Sequence, residues 1–257
     1  MNRFINLELG DESEKRSAAS AAVTDELRFL ADAEAAFAQA RFDHALRWFA
    51  RVLEFNSANV AAWIGQVRSL IELGEFREAS IWADKAMEKF PREPELLAAK
   101  GVALARLGDL DAAAAFSDAA FEERSDSPYL WLARGDVFLA RKDSGAEDCI
   151  SRALEMTSGQ WLYAWLAARM RMFYRQFTLG LKHVRQALEW NPTNPQLWTL
   201  AALCEVRIGL VQAAEASLAK AFELDPHNEA AQNVRRELGN PGAFQRIAGW
   251  FKQAFPK

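Results

Sequence analysis

"GEFREA", Gly74 to Ala79, returns 34 residues later as "GDLDAA", Gly108 to Ala113, and again further along as "GLVQAA", Gly209 to Ala214. Gly209 lies 101 residues beyond Gly108, one short of three such periods. A second landmark keeps the same step: "ALEWNPTNP" begins at Ala187 and "AFELDPHNE" at Ala221, 34 residues apart. A fixed period of this length changes what every residue means. Each unit is one supersecondary element that cannot bury its faces alone, and stability comes from stacking on its neighbours.

These landmarks resemble the tetratricopeptide repeat family, whose unit is a 34-residue helix–turn–helix. Six repeats fit without gaps at 26–59, 60–93, 94–127, 128–160, 161–194 and 195–228, the fourth being one residue short between Arg141 and Glu147. The aromatic of the first helix recurs as Phe29, Trp63, Trp131 and Trp198, with Leu97 and Ala164 departing from it. The small residue four positions on is Ala33, Gly101, Gly135, Ala168 or Ala202, with Val67 in repeat two. The second helix opens on Ala45, Ala79, Ala113, Gly180 or Ala214, and Pro91, Pro192 and Pro226 close their units. Small residues let two helices approach closely, an aromatic fills the space beside them, and proline ends a helix. The resemblance implies an all-α, right-handed superhelical solenoid. In repeat four, "SGAE" from Ser144 to Glu147 reads as a capping box.

Composition agrees with a folded chain. The 257 residues are 51% hydrophobic and 26% charged, with a formal net charge of −4. That balance gives no general attraction to polyanions. Cys149 and Cys204 have no paired spacing, so neither a disulfide framework nor a zinc site is expected. No signal peptide or membrane-spanning run is read, and a cytoplasmic location is expected.

In the family the chain resembles, the second, fifth, ninth, twelfth and thirteenth positions of the first helices line a concave groove. Carried onto this sequence, the groove wall comprises Leu30 and Phe37, then Ile64, Arg68 and Ile71, then Arg106. It continues through Tyr129, Leu132 and Leu139 to Trp165, Arg169, Met172 and Phe173, and ends on Leu203, Val206 and Arg207. Acids (Glu34, Glu72, Glu95, Asp136) are as frequent on it as arginines, and most of the wall is apolar. So large a connected apolar surface marks a contact site. The expected occupant is an apolar or amphipathic protein segment, anchored by aromatics with the arginines meeting its acids. Self-association through the groove is a second possibility. A clamp for acidic chaperone tails is not expected, because Leu30 and Glu34 stand where the family uses Lys and Asn.

The ends carry further expectations. Residues 1–25 read as a mobile tail, with Thr24 or Asp25 as a helix cap. Residues 229–240 read as the helix that caps the solenoid. In 241–257, Phe244, Ile247, Phe251 and Phe255 share a helical face widened by Trp250, and the segment has bases but no acid. Three roles compete for it: extending the cap, docking in a groove, or lying on an anionic membrane surface as part of a peripheral assembly factor.

No catalytic signature is present. His44, His183 and His227 fall in separate repeats and are assigned surface or packing roles, and no metal site, cofactor or enzyme activity is expected. The mixture of Arg169, Arg171 and Arg175 with Trp165, Phe173 and Tyr174 leaves single-stranded nucleic acid as an alternative partner. The negative net charge disfavours it.

Overall fold

The computed structural model describes residues 24–123 and 126–239. Among these all regular structure is helical. Helix α1 covers 24–38, followed by α2 (Phe42–Phe55), α3 (Val60–Leu73), α4 (Phe76–Met87), α5 (Pro94–Leu107) and α6 (Leu110–Glu122). Then come α7 (Pro128–Arg141), α8 (Ala146–Met156), α9 (Trp161–Phe173), α10 (Phe177–Trp190), α11 (Pro195–Arg207), α12 (Val211–Leu224) and α13 (Glu229–Leu238). Each packs chiefly on its sequence neighbours, as in α5 against α6 and α7. The result is a solenoid.

Local chemistry sets the helix ends. Pro94, Pro128 and Pro195 open α5, α7 and α11 at the turn where no amide donor is needed. The side chains of Asn59, Ser127 and Asn228 accept backbone N–H bonds at the starts of α3, α7 and α13. At the opposite ends, Gly74 and Gly108 turn left-handed at φ 82° and 93°. There Glu75 N–H donates to Leu70 O, and Asp109 N–H to Leu104 O, closing two orphan carbonyls. Ala40, Lys142 and Arg175 take the same conformation in the matching turns after α1, α7 and α9 without being glycine.

Between helices, small residues set the approach. A Cβ on Gly101 of α5 would stand 3.1 Å from Ala113 O of α6, and one on Gly65 of α3 would enter the Phe49 ring. Gly135 of α7 meets Ala146 of α8 in the same way, one residue closer in sequence, so the short turn lies between these helices. The recurrent tryptophans do more than fill space. Trp63 and Trp198 donate their indole N–H to Ser57 O and Pro192 O, tying down the loop before each helix.

Two expectations are corrected at this level. Thr24 and Asp25 lie within α1 rather than ahead of it, so the tail does not extend to residue 25. The "SGAE" capping box does not form: Gly145 is the N-cap of α8 without a side-chain bond, and Asp143 accepts from Gly145 N–H instead. Residues 1–23 and the amphipathic 241–257, including Phe244, Ile247, Trp250, Phe251 and Phe255, lie outside the described residues.

The core joins the ends of the solenoid. One buried cluster runs through α1, α2 and Ala62 of α3 and continues directly into α7 to α13, while α3 to α6 share a second with Tyr129, Leu130 and Ala133 of α7. The superhelix therefore closes on itself: α9 faces α2, α3 and α4 across the concave side.

Candidate functional site

The closure is built from side chains of α9. Trp165 stacks on Phe42 of α2 at 5.6 Å between ring centroids. Phe173 meets the ring of Phe76, the first residue of α4, edge-on at 5.7 Å. Between them Arg169 donates to Glu72 O at 2.5 Å and lies 3.2 Å from the Glu72 carboxylate on α3. Its guanidinium also covers the Trp165 ring at 4.4 Å.

These contacts settle where the expected groove residues sit. Trp165 is only 5% exposed, and Phe37, Ile71, Tyr129, Leu132, Leu139, Met172, Leu203 and Val206 are likewise buried. Leu30, Ile64 and Phe173 are half-buried. Met172 packs toward Gly180 of α10, so it belongs between paired helices rather than on a free wall. The open surface is thus narrower than the carried-over positions imply, because the opposite arm of the solenoid covers much of it.

The arginines have internal partners. Arg106 binds both carboxylate oxygens of Asp136, at 2.6 and 3.0 Å, and lies 3.9 Å over the Phe173 ring. Tyr174 O–H donates to the same carboxylate at 2.7 Å. Arg68 reaches Glu95 at 3.4 Å beneath the Tyr129 ring, and Arg207 reaches Glu237 of α13 at 3.0 Å. Arg171, outside the expected groove set, pairs with Glu147 of α8.

Burial shapes the electrostatics. Desolvation draws Arg169 down to about 10 even though Glu72 opposes it, and pushes the Glu72 carboxyl up against the pull of Arg169. For Arg106 burial acts in the same lowering direction, but Asp136 overcomes it and the guanidinium is held charged more firmly than usual. Burial and Asp136 together raise Tyr174, which keeps its phenol a donor. His183 is buried on α10, and desolvation lowers it to about 4.

Among the described residues the concave side holds a larger and a smaller cleft. The larger, about 750 Å³, is lined by Ile71, Glu72, Phe76, Arg106, Tyr129, Leu132, Asp136, Arg169 and Phe173, with the exposed Arg77, Glu78 and Leu107 at its edge. The smaller, about 410 Å³, lies between α2 and the C-terminal helices and includes Asp43, Leu73, Trp165, Leu203, Asp225 and Glu229. Glu72 and Arg169 line both, so their pair is the partition between them.

Sequence reasoning missed Phe76 and the Gly74–Glu78 turn, which served as the repeat landmark and turn out to wall the larger cleft. It also missed Asp43, Asp225 and Glu229, which lie outside the first-helix positions carried over. Among the described residues no helix is long and apolar enough to cross a membrane.

A closed stack of helical pairs with a lined concave side defines the class of helical-repeat proteins. Residues 64–128 match the model of the tetratricopeptide repeat family, and the helical pairs on either side of that stretch continue the same fold. Similar solved structures include one chain of the APC/C hetero-tetramer Cut9–Hcn1, at 16% identity and TM-score 0.54, covering 83% of this chain and 42% of that one. The human IFIT1 dimer with m7Gppp-AAAA matches at 18% identity and TM-score 0.61, over 84% of this chain and 55% of that one. PilW, a widely conserved type IV pilus biogenesis factor, matches at 18% and 0.51, over 81% and 97%. The chain therefore spans only about half of IFIT1 and less than half of the Cut9–Hcn1 chain. No curated protein matches the sequence.

Proposed function

We propose that the protein is a non-catalytic scaffold of six repeats, 26–59 to 195–228 with a capping helix at 229–240, that holds an amphipathic protein segment in its concave clefts. The observation that carries this reading is the larger cleft. Ile71, Phe76, Tyr129, Leu132 and Phe173 line it beside the mutually paired Glu72, Arg169, Arg106 and Asp136, and Arg77, Glu78 and Leu107 stay accessible at its edge, with Leu107 43% exposed. An apolar pocket with a few convergent polar groups is what segment recognition uses. Because the interior arginines are paired, the apolar lining and the accessible edge residues, rather than buried charges, are the source of affinity.

The cluster on α9 gives less support to a nucleic-acid partner, since Arg169 and Arg171 are engaged by Glu72 and Glu147. A free basic face is what single-strand binding draws on.

The test is selection of binding peptides from a displayed random library against the full chain. Titration calorimetry on Leu107→Glu and Arg77→Glu variants would follow. Enrichment of amphipathic sequences that lose about tenfold affinity on the Leu107 variant supports the reading, a change typical of removing one well-placed contact. Peptides that bind both variants as well as the parent chain remove the larger cleft from consideration.

A further inference from the structure

We infer that the occupant of the smaller cleft is the chain's own C-terminal segment, 241–257. This rests on the reading that the concave side accepts an amphipathic segment, and it names which segment arrives first.

Charge is the first argument. Asp43, Glu72, Asp225 and Glu229 line this cleft against Arg169 as its one arginine or lysine, and Arg169 is engaged with Glu72. Asp43 and Glu229 are exposed, and Asp43 has the His44 imidazole at 3.6 Å and Arg47 at 3.8 Å on its own helix. The segment "PGAFQRIAGWFKQAFPK" carries Arg246, Lys252 and Lys257 and no acid. Opposite potentials of this kind set register and favour encounter. The apolar part of the lining, with Leu73, Trp165, Leu200 and Leu203, suits the Phe and Trp of the same segment.

Connectivity is the second argument. Glu229, Ala230 and Val234 of α13 line the cleft, and the segment follows the far end of this ten-residue helix. That places the end of α13 about 6 Å along the helix from Val234 and about 15 Å from its first turn. Asn240, Pro241 and Gly242 are turn-forming residues. The fifteen residues 243–257 are long enough to reach back from that turn to the first turn of α13. That reach brings Trp250, Phe251 and Phe255 within range of the apolar lining, and Lys252 within range of the acids. A cleft of about 410 Å³ has room for a few large side chains rather than for a whole backbone segment. The segment is then a tethered competitor, present at an effective concentration that a free partner has to overcome.

The experiment uses the full chain with p-benzoylphenylalanine in place of Phe251, irradiated and mapped by mass spectrometry. Cross-links within one chain to Leu200, Leu203 or Ala230 are expected. They should fall about fivefold in an Asp43→Lys, Glu229→Lys variant, as two partly solvated attractions become repulsions. Adding Lys252→Glu to that variant should recover part of the yield, which a simple loss of folding would not. Cross-links only between copies overturn the proposal, as do cross-links only to α12 and the outer face of α13, or a yield indifferent to charge. Any of these leaves the binding of a foreign segment in the larger cleft untouched, since Leu107 and Arg77 report on that separately.

Discussion

Arg169 and Glu72 stand 97 residues apart in sequence and 3.2 Å apart in space, at 14% and 21% side-chain exposure, where α9 crosses α3. Desolvation dominates both partners, lowering the arginine and raising the acid. Removing one charge from such a pair is worse than removing both. Glu72→Leu is expected to cost about 3–5 kcal/mol, because Arg169 keeps its charge and loses that carboxylate. The double variant Arg169→Met, Glu72→Leu should recover most of this. Urea midpoints of the four members of the cycle decide it, and additive losses would show that the two residues act independently.

Trp165 is a second closing contact, stacked on Phe42 and capped by Arg169. Trp165→Ala is expected to destabilise by about 3–5 kcal/mol through the cavity it leaves. Hydrogen exchange should rise in α2 as well as in α9. A rise confined to α9 would mean that the arms close without this stack.

His183 supplies a pH dependence. Its folded-state pKa, about 4, lies below the ordinary imidazole value, so the unfolded chain binds the proton more readily. Stability is therefore kept above about pH 6.5 and drains as pH falls toward 4. His183→Leu should remove that component. The stability difference between variant and parent should grow by about 3 kcal/mol across the window. A constant difference from pH 7 to 4 would place the acid sensitivity elsewhere.

The left-handed turns make an opposed pair of predictions. Lys142→Gly and Arg175→Gly relieve a strained φ near 60° and should stabilise by about 0.5 kcal/mol each, the gain being trimmed by the freedom glycine adds to the unfolded chain. Gly108→Ala meets nothing within 4 Å, so its cost, about 1–2 kcal/mol, is purely that of φ at 93°. Melting temperatures read both. A neutral Gly108→Ala would mean that the turn relaxes to another conformation.

The helical class and the family resemblance were legible in the sequence because they rest on local, periodic chemistry. Gly74 and Gly108 mark turns, Ala113 and Gly101 mark close approaches, and each recurs in step. The burial of Trp165 was not legible. Its carried-over position on α9 places it on the groove wall, but does not say that Phe42 lies opposite. Closure of a superhelix depends on small rotations accumulated over many units, and no single residue records their sum. The same holds for the arginines: Arg106 and Asp136 could be read as groove charges, but their pairing needed three-dimensional coordinates. Ala40, Lys142 and Arg175 escaped notice for another reason, since a left-handed turn occupied by a non-glycine residue leaves no mark in composition.

The contact from α3 to α9 has a consequence for how the chain folds. In an open repeat array every interaction is between neighbours, stability is nearly a sum over units, and an end can fray without disturbing the middle. A bond between segments 97 residues apart breaks that additivity. It raises contact order, which slows folding, and it couples the two arms into one cooperative transition. Deleting the first helical pair should therefore loosen α9 as well as α3, a non-local response that a linear stack of the same helices would not give.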